Sequence, residues 1–353
     1  MAALPTTNLT LADWAKRRDP DGSMSTVINI LSQSNDILDD GVFREANGPT
    51  SHRCTVATGL PDVYWRQVNQ GIYPSHGTTA QIDEGIGMLE SRSEVDIALA
   101  RLESDERALR LSEARMRLEA MNQELATTMF YGNTAANPER FMGIAPRYSS
   151  LAAGNAQNIF SAGGTSTDNT SIYLIGWGDE TCHFIFPKGS SAGIEQRDLG
   201  EQTVDVYSAA DGTGTYTGKM QALVDWYCIK MGMVLKDWRY AARICNIDVS
   251  DLTGFVSSGG SGTQDLDEFG TNIIHKMAEA IYRLPNPGMC KPAFYMNRTV
   301  HASLSRMAME KQSSVLTIEQ GLSSFGTARQ FLSFMGIPIR RSDAIINAEE
   351  RVV

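Results

Sequence analysis

From Ser91 to Tyr131 the chain reads SRSEVDIALARLESDERALRLSEARMRLEAMNQELATTMFY, without a glycine or a proline, between Gly87 and Gly132. This stretch decides the fold, because it predicts a single charged, amphipathic helix longer than most compact domains can cover. Ser91-Arg92-Ser93-Glu94 fits a capping box, in which hydroxyl and carboxylate satisfy backbone donors left unpaired at a helix start, and Gly132-Asn133 supplies the stop. Val95, Leu99 and Leu102, then Leu111, Ala114, Leu118, Met121, Leu125 and Met129, recur at three- and four-residue steps. One side is therefore built for burial. Glu103 with Arg107, Glu106 with Arg110, and Glu113 with Arg117 lace the rest as acid-first pairs four apart. At about 1.5 Å per residue the rod spans roughly 55–60 Å. Such a helix is expected to cross a flat subunit or to contact neighbouring chains.

The 353 residues carry a formal net charge of -10, with 42% hydrophobic and 20% charged residues, the balance of a soluble folded protein of two or three subdomains. No apolar run approaches the roughly twenty residues that span a bilayer. Residues 1–21 lack the apolar core of a signal peptide, so secretion and membrane insertion are not expected. Cys54, Cys182, Cys228, Cys245 and Cys290 lie far apart with no CxxC pair and read as reduced thiols in a cytoplasmic setting. The acidic total argues against a dedicated nucleic-acid reader, whose footprint is a basic patch.

Along the chain, residues 1–21 mix Pro5, Pro20 and Lys16-Arg17-Arg18 and read as an extended arm, the basic run being either a solvated face or a phosphate contact. A short helical piece around Met24 to Leu38 follows. Arg44 to Met88 then carries turn formers and β-type runs at His52 to Thr58 and Val63 to Val68, a projecting hairpin. Tyr64-Trp65-Arg66 combines residue types enriched at interfaces, although a hairpin minicore would use the same ones. After the long helix, Asn133 to Ala156 is loop-like. Strands are expected at Ile172 to Gly176, His183 to Phe186, Thr203 to Tyr207, Leu223 to Met231 and Trp238 to Ile244. Ser257 to Gly262 reads as a flexible connector. Beyond it come a helix near Asp267 to Leu284, a strand at Ala293 to Met296, a helix at Arg298 to Lys311 and a strand at Ile337 to Arg341.

Three patterns bear on chemistry. Gly189-Ser190-Ser191-Ala192-Gly193 satisfies the G-x-S-x-G of a hydrolase nucleophile elbow, with His275 and His301 downstream. The elbow needs a strand entering directly and a helix leaving, whereas Pro187-Lys188 and Gly200 interrupt it. Gly218-Lys219 resembles the end of a phosphate loop, but Met220 stands where a serine or threonine should hold magnesium. His52, His76, His183, His275 and His301 show no close ligand spacing, so no metal, cofactor or catalytic residue is assigned.

One resemblance absorbs the remaining pattern. Ile175-Gly176-Trp177-Gly178, Phe186-Pro187-Lys188-Gly189-Ser190-Ser191-Ala192-Gly193 with Asp198-Leu199-Gly200, Asp237-Trp238-Arg239-Tyr240 leading into Ala242-Arg243-Ile244-Cys245-Asn246-Ile247-Asp248, Tyr295-Met296-Asn297-Arg298, and Gly336-Ile337-Pro338-Ile339 with Ser342-Asp343-Ala344 carry it. The sequence resembles tailed-phage major capsid proteins of the HK97-like class, in the branch found in short-tailed phages, over nearly its whole length. The resemblance implies an α+β fold with an N-terminal arm (1–43), an extended hairpin loop (44–90), a spine helix and following loop (91–150), a peripheral β region (151–256) and an α/β axial domain with the C-terminus (257–353). Because the strand-rich segment Ile172 to Asp248 precedes the segment resembling the axial domain, a permuted connectivity is inferred.

The implied role is a shell subunit that self-assembles into hexamers and pentamers of an icosahedral virion head, built in the host cytoplasm. Its further implied partners are a portal protein, a separate scaffolding protein, a decoration protein and packaged double-stranded DNA by non-specific proximity. Tyr64, Trp65, Arg66 and Tyr73 are the interface candidates. Gly85, Gly87, Gly132 and Pro138, which bracket the rod, are the hinge candidates. Two rival readings stand beside this one: a coiled-coil structural or adaptor protein built on the long helix, and a serine hydrolase using Ser191. Loss of register near Glu106 and Glu113 argues against a sustained coiled-coil seam.

Overall fold

The computed structural model describes residues 33, 35–102, 106–207, 216–253, 266–309, 316–322 and 328–353. In chain order the elements are α1 (Ile37–Asp40), β1 (Phe43–Glu45), β2 (Ser51–Gly59), β3 (Thr78–Gly85), β4 (Gly87–Asp96), α2 (Ile97–Leu102), α3 (Glu106–Tyr131), β5 (Ile159–Ser161), β6 (Asn169–Trp177), β7 (Cys182–Phe186), β8 (Ile194–Tyr207), β9 (Tyr216–Leu235), β10 (Ala241–Asp248), α4 (Val249–Thr253), α5 (Leu266–Arg283), β11 (Lys291–Met296), α6 (Arg298–Met309), β12 (Leu316–Leu322), β13 (Ala328–Phe334) and β14 (Ile337–Arg341). Two compact units result. One takes in 88–125 and 193–230, the other 34–87, 126–192 and 231–353.

In the first unit, β8 and β9 form a long antiparallel hairpin from Ile194 opposite Ile229 to Tyr207 opposite Tyr216, with a bulge between Asp198 and Gly200. Part of the apolar stripe of α3 packs on it, while Leu111 stays half exposed. Leu109 packs with Val95, Ile97, Ala100 and Leu223, while Ala114 and Met121 pack with Tyr227. The Arg110 guanidinium forks onto Asp225 at 2.6 and 3.0 Å and reaches Asp198 at 2.8 Å, tying helix to hairpin with paired and partly buried charge. A stripe occupied within the subunit is not a coiled-coil seam.

The second unit is built on a sheet in which β6, buried along its whole length, pairs antiparallel with β10 and with β11. β11 pairs parallel with β14, which continues through β13 to β12. Buried residues of α5 (Ile273, Met277, Ala280) and α6 (Val300, Leu304, Met307) recur at helical spacing and cover Leu174, Ile244, Phe294 and Phe334 of the sheet. At its centre Arg243 of β10 meets Glu349 of the C-terminal tail at 2.8 Å, both buried. The surrounding polar groups are hydrogen-bonded to the pair. Ser171, Tyr173 and Tyr131 donate hydroxyls to the carboxylate, and Arg243 also donates to the Ala145 and Tyr148 carbonyls at 3.3 and 3.0 Å. Asn246 grips the tail again, exchanging two hydrogen bonds of 2.9 Å with the Val352 backbone.

Several expectations are corrected. The helix does not start at Ser91: β4 runs to Asp96, because Leu89, Ser91, Ser93 and Val95 alternate inward with period two, and Asp96 caps α2 by accepting from the Ala98 N–H at 2.7 Å. The described rod, α3, is about 39 Å long at 1.5 Å per residue. Val63 to Val68 forms no strand; β3 starts only at Thr78, and the segment between is an open loop with Asn69 at φ 69°. Ile172 to Asp248 is not one peripheral region. β6, β7 and β10 belong to the second unit and β8 with most of β9 to the first. Lys16-Arg17-Arg18, Glu103 and Ser257 to Gly262 lie outside the described residues, as does most of Met24 to Leu38.

Removing one partner of a buried ion pair leaves the other charge uncompensated. Arg243→Met is therefore expected to destabilise the chain by about 3–5 kcal/mol, read as a lowered urea midpoint, with Arg243→Lys recovering only part because it cannot serve all of these acceptors.

Candidate assembly surfaces

β2 and β3 pair from Ser51 opposite Gly85 to Gly59 opposite Thr78, and everything beyond that last pair is loop. The root of this hairpin is locked. Ala46, Cys54, Ile185 and Val234 form a small buried cluster, the Ala46 N–H donates to the Phe186 carbonyl at 2.9 Å, and Asn47 exchanges hydrogen bonds of 2.7 and 2.9 Å with the Arg53 backbone. Deeper in, Arg147 forks onto Glu84 of β3 at 2.5 and 2.8 Å while its remaining protons go to the Gly143, Met142 and Met233 carbonyls. Arg53 and Asp83 form a second fork across the strands, exposed to solvent.

The tip is the opposite. Leu60, Val63, Val68 and Tyr73 are each more than four-fifths exposed, and Trp65 is fully exposed at 104%. A packed minicore is thus not what these residues make; they stand free on an anchored arm. Tyr64 is 49% exposed and Arg66 is exposed beside it. An exposed apolar group of this size is a candidate for contact with another chain.

The four hinge candidates divide. Gly132 and Gly87 are close-approach positions: a Cβ at Gly132 would meet the Thr128 carbonyl at 2.6 Å, and one at Gly87 would meet Phe141 at 3.3 Å. Gly85 has open space around it, and Pro138 lies in the turn after α3. Ser191 is exposed in a loop between two strands, β7 and β8, so no strand–serine–helix elbow forms. Sequence reasoning missed Glu84, Arg147, Arg110, Asp225 and the Arg243–Glu349 pair. Only Arg243 gave a signal, as a lone charge within Ala241-Ala242-Arg243-Ile244-Cys245, a run otherwise fit for burial on both faces.

A family model described as major capsid protein GP7 matches residues 19–353. The chain belongs to this family. A chain in the structure of bacteriophage Epsilon15 is 34% identical, with a TM-score of 0.72 and coverage of 100% of this chain and 99% of that one. This is a major capsid protein of a tailed phage, with the HK97-like fold. The capsids of bacteriophage JBD30 (10% identity, TM-score 0.44, 90% and 92% covered) and of a native GTA particle (8%, 0.45, 66% and 97%) are more distant likenesses. No curated protein matches significantly.

Arg147→Met strands the Glu84 carboxylate at the root. Amide hydrogen exchange of β2 and β3 is expected to rise at least tenfold, with β6 and β10 protection unchanged.

Proposed function

We propose that this capsid protein self-assembles into hexamers and pentamers of an icosahedral head that encloses double-stranded DNA, each copy laying its hairpin tip on a neighbouring copy. The full exposure of Trp65 on a locked root carries this reading. A large aromatic left in water in the free chain gains its stabilisation on association, and interface energy concentrates on such residues. Tyr64, Arg66 and Tyr73 flank it as further contacts. A heterologous contact of this kind, repeated around an axis, closes into a ring. Five-fold and six-fold rings ask the same chain to flex slightly, for which Gly85, with room around it, is the better placed hinge, while Gly87 opens β4 and Gly132 and Pro138 set the turn after α3.

The net charge of -10 suits a wall past which DNA slides, since adhesion grows with each phosphate that a basic side chain neutralises. Assembly in the host cytoplasm, a portal at one vertex, a separate scaffolding protein and a decoration protein complete the reading. The role is structural, with no step of covalent catalysis at Ser191.

Trp65→Ala separates folding from assembly. The thermal midpoint should hold, because surface substitutions cost within about 0.5 kcal/mol. Sedimentation and electron microscopy should show loss of closed shells that the unaltered chain forms, alone or with its scaffold. Shells that form equally well without the indole would overturn the role given to the tip.

A further inference from the structure

Where the hairpin root meets the body, two histidines face each other with no acid between them. His183 of β7 is 2% exposed, and its Nδ1 has no hydrogen-bond partner. His52 of β2 stands edge-on to it, ring centroids 6.0 Å apart and planes at 86°. The Nδ1 of His52 accepts the Asn47 N–H at 3.2 Å, which requires that nitrogen to be unprotonated. The cation acting on both is Lys236, just past β9, which donates to the Asp179 carbonyl at 2.7 Å and pairs with Glu180 at 3.7 Å.

The surrounding charges offer a new proton little compensation. In the turn before β7, the Asp179 carboxylate is already committed to Arg44 of the neighbouring β1, and Glu180 is largely in solvent beside Lys236. On β3, Asp83 is committed to Arg53 of β2 and Glu84 to Arg147; past β9, Asp237 is held by Arg239; Glu45 of β1 accepts the Gly189 N–H. Cys54 and Cys182 are neutral thiols, pushed up by burial. A cleft of about 820 Å³, lined by His52 to Ala57, Glu180 and Lys236 to Arg239, opens on the His52 side of the pair.

We propose that His52 and His183 form an acid-opened latch: protonation of the pair releases the root of the β2–β3 hairpin from β7. The bond to Asn47 is lost, a charge enters a site that already faces Lys236, and the Cys54–Ile185 contact parts as the cleft fills with water. Burial, reinforced by Lys236 and His52 and opposed in part by Asp179 and a hydrogen bond to the Gly178 backbone, holds His183 down to about 4, and burial then Lys236 lower His52. Unfolded histidine titrates near 6.5. A folded value below the unfolded one means that the latch is fully closed above pH 6.5 and weakens as pH falls towards 4. For one such group, opening is favoured about thirtyfold more at pH 5 than at pH 8. The inference concerns the single chain and does not rest on how copies assemble.

Hydrogen exchange by mass spectrometry on the full chain, corrected for the intrinsic effect of pH, tests it. Amides of β2 near His52 should exchange about thirtyfold faster at pH 5 than at pH 8, while those of β6 stay protected. In His183→Leu that rise should shrink to less than about threefold. An equal rise in the variant, or none in the unaltered chain, would overturn the latch. Imidazole C2–H exchange in the unaltered chain provides a second readout that needs no variant. A His183 midpoint below 5 supports the proposal, and one near 6.5 defeats it.

Discussion

The second unit depends on one buried ion pair. Arg243 and Glu349 lie far apart in sequence, and around them converge β6 through Ser171 and Tyr173, the end of α3 through Tyr131, the turn at Ala145 to Tyr148, and the C-terminal tail. Two desolvated charges are costly, and they are tolerated here because hydrogen bonds satisfy the groups that the pair leaves over. Geometry is the gain: a carboxylate with four donors around it admits a single arrangement of the strands and helix end that supply them. Tyr131 and Tyr173 are held protonated by that burial, so they remain donors.

From this fixed centre the arrangement runs outward as a series of paired charges. Trp177 donates to the Tyr295 hydroxyl, which donates to Asp40, and Asp40 in turn receives the Arg340 fork, so that the segment just before β1 is fastened to β11 and β14. Arg147 and Glu84 do the same for the hairpin root. For the assembly proposed above, a rigid root lowers the ordering entropy lost when the tip binds. The first unit repeats the device with Arg110, Asp198 and Asp225 holding α3 to the β8–β9 hairpin.

Much of this was legible in the residues. β6, β7, β10, β11 and β14, with α5, α6 and the later part of the long helix, follow from the residue pattern, whereas β5, β12 and β13 were not anticipated, and the family follows from motif runs such as Ile175-Gly176-Trp177-Gly178. What misled was local plausibility: Ser91-Arg92-Ser93-Glu94 satisfies a capping box, yet the inward alternation of Leu89, Ser91, Ser93 and Val95 prevails because β9 offers a neighbouring strand. Val63 to Val68 has β-type residues but no strand opposite it. The partners of Arg147 and Arg243 were invisible because a charge pair across a fold leaves no spacing to read. The split of Ile172 to Asp248 between two units is a matter of strand order, which composition does not encode.

The central claim is that a locked frame presents an apolar tip for another copy to cover. A cryo-electron microscopy reconstruction of shells assembled from this chain, resolved to side chains, tests it most directly. The account predicts that Trp65 is buried against a neighbouring subunit in both pentamers and hexamers while the Arg243–Glu349 centre is unchanged. A closed shell in which Trp65 still faces solvent would contradict it.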